Sequence, residues 1–498
     1  MSYLGIDLGT SGCKAVVFAD DGKPLSQAHR GYAVLHPQPD WAELDSRTVI
    51  DACCAVIAEA AKAASDPVRA IGISSQGEAF TPVGADGEYR GRAMVSSDSR
   101  AAGLVAEFTA RFGLERLYRI TGHTPSAMFT LFKLLWLKQH DPETWRQSAR
   151  LLCFEDLLML RLGVEPALGW PLAGRTMLFD VTRHEWSRDI LAALELDETR
   201  LGRPLPSGTT AGILPRAVAA ELGLGREVKL VAGGHDQTIA ALGAGIGEPG
   251  TAMYAAGSVE CLCPVVPKLT LSDDLCRHNL CCYDYSLPGC YTSVAYSLTG
   301  SNLLQYFKEQ FGRECSYDTL LEEMPETPTE LLALPYFTPS GTPYFDPVTP
   351  GALLGWRLTT SRGELLKGLL EAVALEMKLN LQLLEASGMT IERLAATGGG
   401  ARNRRLVQLK ADILDRPLFR LEIDEAGCYG AALLAGMPTA DARRWIRTPR
   451  RSGRKRQSIP DRTKRTGIGK NSPGIRLSTQ GFATCTAVSP TDKKAVAD

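Results

Sequence analysis

The 498-residue chain has no run of 18 apolar residues, so nothing in it is marked as membrane-spanning. Its opening, Met1-Ser2-Tyr3-Leu4-Gly5-Ile6-Asp7, lacks the basic and long apolar stretches of a secretory leader, and a cytoplasmic location is the expectation. An excess of charge of one sign is also missing. The formal net charge is −1, so no global field points to nucleic acid or to a membrane surface as a partner. The 13 cysteines lack the paired spacing of a zinc site. The densest group, Cys261, Cys263, Cys276, Cys281, Cys282 and Cys290, is spaced C-x-C and C-C, which suits thiols on strands. An odd, scattered set predicts reduced and mostly buried thiols. What is present is a hydrophobic content of 44%, enough for two or three domains with sizeable cores.

Strand and helix patterns alternate along the chain, which predicts an α/β class. Leu4–Leu8 and Lys14–Phe18 read as strands around a Gly-rich loop, and Leu25–Tyr32 completes a meander after the turn Asp20-Asp21-Gly22-Lys23. Val68–Ser74 reads as a buried strand leading to Gln76-Gly77-Glu78. Helical patterns cover Arg47–Ala64, Ala101–Phe112 and Phe129–Gln139. Near Gly250 the strand–loop–strand opening is echoed by Thr251–Ala255, Gly257-Ser258 and Val259–Val265, a weak internal repeat. Long helical patterns follow at Leu303–Phe311 and Arg362–Ser387. These patterns give a first unit over 1–246 and a second over 247–436. From Met437 onward the chain carries 15 Lys+Arg against 4 Asp+Glu and shows no regular period, so 437–498 reads as a disordered tail.

Three loops carry chemistry. In Asp7-Leu8-Gly9-Thr10-Ser11-Gly12-Cys13-Lys14, glycines let backbone N–H groups approach an anion, and Thr10, Ser11 and Lys14 add donors and a cation. Asp7 ends a buried strand, where a hydrated Mg2+ would give its carboxylate a partner. A plain hairpin turn is the alternative. Gly398-Gly399-Gly400-Ala401-Arg402-Asn403 sits between a strand and a helix, where a flat ligand can lie on backbone and an anion can meet the helix start. Val231-Ala232-Gly233-Gly234-His235-Asp236-Gln237 ends an apolar strand, where ligands bind in α/β sheets. Asp236 there is either a general base or the cap of the helix that follows.

These loops, in this order, resemble those of the FGGY carbohydrate kinases, among them xylulokinase, gluconokinase and glycerol kinase. The resemblance spans roughly residues 3–436. It includes Asp98 and Arg100 in Ser97-Asp98-Ser99-Arg100, the run from Ser126 through Lys133-Leu134-Leu135-Trp136-Leu137, and Arg175-Thr176-Met177-Leu178-Phe179-Asp180 with Trp186. Leu334-Pro335-Tyr336 with Asp346-Pro347, Gln408 and Asp412 after Asn403, and Glu425-Ala426-Gly427-Cys428-Tyr429-Gly430-Ala431-Ala432 also match. The resemblance implies two actin/hexokinase-like (ribonuclease H-like) ATPase domains around a central cleft, with ATP and Mg2+ as cofactors and a sugar or polyol as substrate. It implies Asp236 as general base, Asp7 at the metal, and Gly9, Thr10, Ser11, Lys14, Gly257, Ser258 and Gly300 around the phosphates. Gly399, Gly400 and Asn403 would border the adenosine. The likeness suggests a homodimer.

The acceptor is less clearly marked. Xylulokinases carry Gln-Met-His where this chain has Gln76-Gly77-Glu78, and glycerol kinases carry Gln-Arg-Glu. The pentulose-kinase likeness of the remainder makes a ketopentose such as xylulose the expected substrate. Gln76, Glu78, Asp98 and Gln237 are the expected sugar contacts. Glu78 is either a polyol acceptor or a solvated loop carboxylate. Gly77 leaves space for a larger substrate, and Trp41 either stacks on a sugar or lies half-buried at the surface. A sugar-independent actin- or chaperone-like ATPase and an inactive sugar sensor are the rival readings. After Gly436 the basic run departs from the family's further helix. Either a shifted reading frame near Met437–Arg451 or an appendage for an anionic partner accounts for it.

Overall fold

Ser2–Leu8 is apolar and buried along nearly its whole length, the mark of a strand covered on both faces. In the computed structural model, which describes residues 2–346, 348–421, 425–437 and 454–458, it is the third of six strands. Gly12–Ala19 pairs antiparallel on one side of it, and Pro24–Gly31 pairs antiparallel beyond that. Val68–Ser75 pairs parallel on its other side, followed by Lys229–His235, also parallel, and by Thr210–Ile213, antiparallel at the edge.

The second half repeats the plan strand for strand. Gly250–Ala256 is central, with Glu260–Pro264 and then Ala295–Ser297 antiparallel on one side. Ile391–Thr397 and Leu418–Leu421 run parallel on the other, with Arg454–Ser458 antiparallel at the edge. Order and direction match in both sheets, so the echo near Gly250 is a duplication of the whole sheet. Arg454–Ser458 is a strand where the sequence reads as a disordered tail. Residues 438–453 and 459–498, and with them the reading-frame question, lie outside the described residues.

The helices fall where periodicity places them. Ser46–Ala63 is capped by Asp45, whose carboxylate accepts from Thr48 N at 2.8 Å. Arg362–Ala386 opens on a capping box of Ser361 and Glu364. The last helix, Ala426–Gly436, packs on the first sheet. A Cβ added to Gly5 would stand 1.8 Å from Cys428 O, and one at Gly72 2.0 Å from Ala431 O. The same helix meets Asp236–Gly243 at Gly243 and Gly430, where an added Cβ would lie 1.9 Å from Ala426 O and 2.0 Å from Ile239 O. The segment around 280–286 leans on the first half as well: Tyr118 Oη donates to Leu280 O at 2.9 Å, and Tyr285 Oη to Ile246 O at 2.6 Å. Among the described residues, no helix is long and apolar enough to cross a membrane.

Candidate active site

The strand Lys229–His235 loses register with its neighbour between Val231 and Gly234, a bulge that re-aims the strand end. Gly233 has no room for a side chain, since its Cβ would fall 1.5 Å from Ile73 O. Buried Glu155 holds the bulge, accepting from Gly233 N at 2.7 Å and Gly169 N at 3.1 Å. Burial pushes its carboxyl up to about 8. Sequence reasoning missed Glu155; its signal was the carboxylate pair Glu155-Asp156 opening the apolar run Leu157-Leu158-Met159-Leu160 of the helix Phe154–Arg161.

The bulge delivers Asp236. The cap position is taken by His235, which makes no side-chain cap bond, so Asp236 is not the cap. Its side chain is 31% exposed, open enough to meet a substrate. Burial, then the Asp7 and Glu78 charges, push its carboxyl up to about 7, against the lowering pull of Gln237 N–H and Arg175. A base that titrates near neutrality is both ionised and strongly proton-accepting at working pH. Asp7 is therefore within electrostatic reach of Asp236. Gln237 is half-buried beside Asp236.

The first loop is a tight turn closed by Gly9 N donating to Gly12 O at 3.0 Å, with Thr10 and Ser11 exposed. Asp7 accepts from Ser74 Oγ at 2.6 Å; burial is the main force raising its carboxyl. Gln76 braces this loop. Its Nε2 donates to Gly9 O at 3.0 Å and its Oε1 accepts from Thr10 Oγ1 at 3.4 Å, so its amide is engaged with the loop. The Lys14 ammonium pairs with Glu425 at the start of the last helix.

On the acceptor side, Glu78 is buried, at φ 64°, and its carboxylate accepts from Arg175 Nε at 2.5 Å and Ser96 Oγ at 2.6 Å. It is not a solvated carboxylate. Arg175 lies over the Phe129 ring, 4.8 Å from its centroid. Arg175→Met leaves Glu78 buried without its guanidinium partner, and a loss of about 3–5 kcal/mol is expected in urea unfolding; a loss below about 1 kcal/mol would show that solvent reaches Glu78. Gly77 does not open space. An added Cβ would meet His235 Cδ2 at 3.1 Å and Arg175 Cβ at 3.5 Å, so the room is already filled. Asp98 is also occupied. Arg100 Nε and Nη2 donate to it at 2.9 and 2.6 Å, and Ala42 N donates at 2.8 Å. Trp41 covers that pair, with the Arg100 guanidinium 3.6 Å from its ring centroid. Asp98 and Trp41 therefore brace the fold around Arg100.

In the second half the expected loops converge. Ser301 N donates to Gly257 O at 2.8 Å, and a Cβ on Gly300 would stand 2.9 Å from both Gly257 O and Ser258 O. Gly400 approaches the same strand end, its added Cβ 3.1 Å from Ala256 Cβ and 3.5 Å from Ser301 Oγ. Gly399 has nothing within 4 Å and is exposed. Asn403 caps the helix Arg404–Leu414, accepting from Arg405 N at 2.9 Å and Leu406 N at 3.3 Å, and donates to Asp318 at 2.9 Å. Its side chain is thus engaged with protein. Behind this platform, buried Glu260 takes Lys410 and Tyr254 as partners, a cluster the sequence did not reveal.

The description "FGGY family of carbohydrate kinases" fits residues 2–243 as its N-terminal domain and residues 283–438 as its C-terminal domain. The chain is 28% identical over 443 residues to a xylulose kinase of Lactococcus lactis, covering 87% of each protein. It is 30% identical over 463 residues to a glycerol kinase of Bordetella parapertussis, covering 87% of this chain and 88% of that protein. A xyloylose kinase from Brucella ovis superposes with a TM-score of 0.85 at 26% identity, over 93% of this chain and 96% of the other. These likenesses to sugar kinases weigh against the sugar-independent ATPase. The chain belongs to the FGGY family of carbohydrate kinases: it is a sugar phosphotransferase, and kinases of this family use ATP.

Proposed function

We propose that the chain phosphorylates a hydroxyl of xylulose from ATP, with Asp236 as general base. The observation that carries this is the half-open Asp236 carboxylate, raised to about 7 and within electrostatic reach of the first Gly-rich loop. The sugar oxygen attacks the γ-phosphorus, its bond to the β-phosphate oxygen breaks to release ADP, and the hydroxyl proton passes to Asp236. Gly9, Thr10 and Ser11 meet the phosphates from one half, and Gly257, Ser258 and Gly300 from the other. Gly399 and Gly400 offer bare backbone to the adenosine. The xylulose kinases among the relatives support xylulose as acceptor.

Asp7 suits a hydrated Mg2+. It is a hard oxygen donor whose burial calls for positive charge, and its nearest lysine, Lys14, is paired with Glu425. A bound Mg2+ would neutralise charge on the phosphates.

The test is ADP release with xylulose, with glycerol and without sugar, followed across pH. We expect xylulose-dependent turnover whose kcat/KM rises with pH through about pH 7, because the free enzyme's base must lose its proton. Equal turnover without sugar, or a flat profile across neutrality, would overturn the proposal.

A further inference from the structure

The residue before the base is a histidine, and the chain makes room for it. Any side chain at position 77 would press on the imidazole, since an added Cβ lies 3.1 Å from His235 Cδ2 and 3.3 Å from Nε2. His235 is buried, with Nδ1 2.9 Å from Tyr283 Oη and Nε2 3.2 Å from Asp236 Oδ1. Burial and the Arg175 guanidinium hold the imidazole far below its usual range, so it is neutral and carries one ring proton. With that proton on Nδ1, the Nε2 lone pair would face the Asp236 carboxylate, a repulsive arrangement. With Tyr283 donating to Nδ1, the proton sits on Nε2 and faces the carboxylate.

Tyr283 is well fixed for this task. It is fully buried, and its strand Tyr283–Asp284 pairs with Tyr291–Thr292. The neighbouring Cys282 N donates to Gly122 O at 2.8 Å, and Tyr285 is tied to Ile246. His123 packs on the Tyr283 ring at a centroid distance of 4.9 Å. The hydroxyl thus reaches His235 from a segment anchored on the body that carries the base.

We propose that His235, oriented by Tyr283, is a positioning residue for the general base: its Nε2–H holds one oxygen of Asp236 and leaves the other to the sugar hydroxyl. Nε2 and Oδ1 stand 3.2 Å apart without the alignment of a hydrogen bond, and substrate binding supplies that alignment, as it commonly does for catalytic hydrogen bonds. The inference rests on Asp236 as base.

The experiment compares His235→Ala, His235→Gln and Tyr283→Phe with wild type in the full chain, reading kcat, KM for ATP and melting temperature. Tyr283→Phe is expected to lower kcat about tenfold and His235→Ala more, with KM for ATP within about twofold, because misplacing a base acts on the chemical step. His235→Gln, whose amide N–H reaches toward the Nε2 position, is expected to recover part of the loss. Wild-type kcat in His235→Ala would overturn the inference. So would a His235→Gln variant no better than His235→Ala. If Asp236→Asn proves active, the base reading itself fails. If Asp236→Asn is inert while His235→Ala runs at full speed, only the positioning role fails.

Discussion

Asp236→Asn is expected to lower sugar phosphorylation by about a hundredfold to ten-thousandfold, the range for loss of a general base. The substitution keeps the shape of the side chain and removes its capacity to take a proton. Nucleotide affinity should change by no more than about twofold, because Gly399 and Gly400, the proposed adenosine contacts, follow a strand of the other sheet. Stability moves the other way. The folded carboxyl, at about 7, binds its proton more tightly than the ordinary 3.8, so the folded state loses stability as pH rises between those values. Above neutrality wild type holds a charge that burial, Asp7 and Glu78 all oppose, and the amide does not. The melting temperature of Asp236→Asn at pH 8 should therefore exceed that of wild type. Residual turnover above roughly a tenth of wild type would remove Asp236 from the base role. An inert variant that also melts lower would show that the carboxylate is stabilised where the fold predicts strain.

The parts of this site that were legible in the sequence are those set by local chain chemistry. An apolar run ending in Asp-x-Gly-Thr-Ser reads as a strand with an anion-friendly loop, and Gly-Gly-His-Asp after another reads as a strand end that presents a carboxylate. What the sequence hid is which side chains find one another across the fold. Glu78 and Arg175 are 97 residues apart, Glu155 and Gly233 are 78 apart, and Lys14 meets Glu425 across 411. A buried charge must find a partner, but periodicity reports only that a position is buried. Gly77 shows the same limit. A missing side chain reads as empty space until the neighbour that fills it, His235, is known. Asp98 is the converse case, a carboxylate whose Arg100 partner lay two residues away in plain view, and whose saturation by that partner argues for a brace.

Gly72→Ala is expected to be among the most damaging single-methyl changes in the molecule. The added Cβ would stand 2.0 Å from Ala431 O and 2.8 Å from its carbonyl carbon, both backbone atoms of the last helix, so no side-chain rotation relieves the clash. Helix and sheet must separate instead, at a cost of about 3 kcal/mol or more, the upper end for overpacking. The consequence reaches the chemistry because the first turn of that helix touches the site. An added Cβ on Gly427 would lie 2.7 Å from Asp7 Oδ2, and Glu425 just before it holds Lys14. A helix N-terminus this near also favours the Asp7 carboxylate through its dipole. Moving the helix should therefore lower kcat as well as the melting temperature. Gly103→Ala is the matched control. Its Cβ would meet nothing within 4 Å, and it sits inside the helix Ala102–Phe112, so it should be neutral or stabilising by about 0.4–1 kcal/mol. If Gly72→Ala melts with the control and keeps full activity, the last helix does not dock on the first sheet, and the approach of its first turn to Asp7 goes with it.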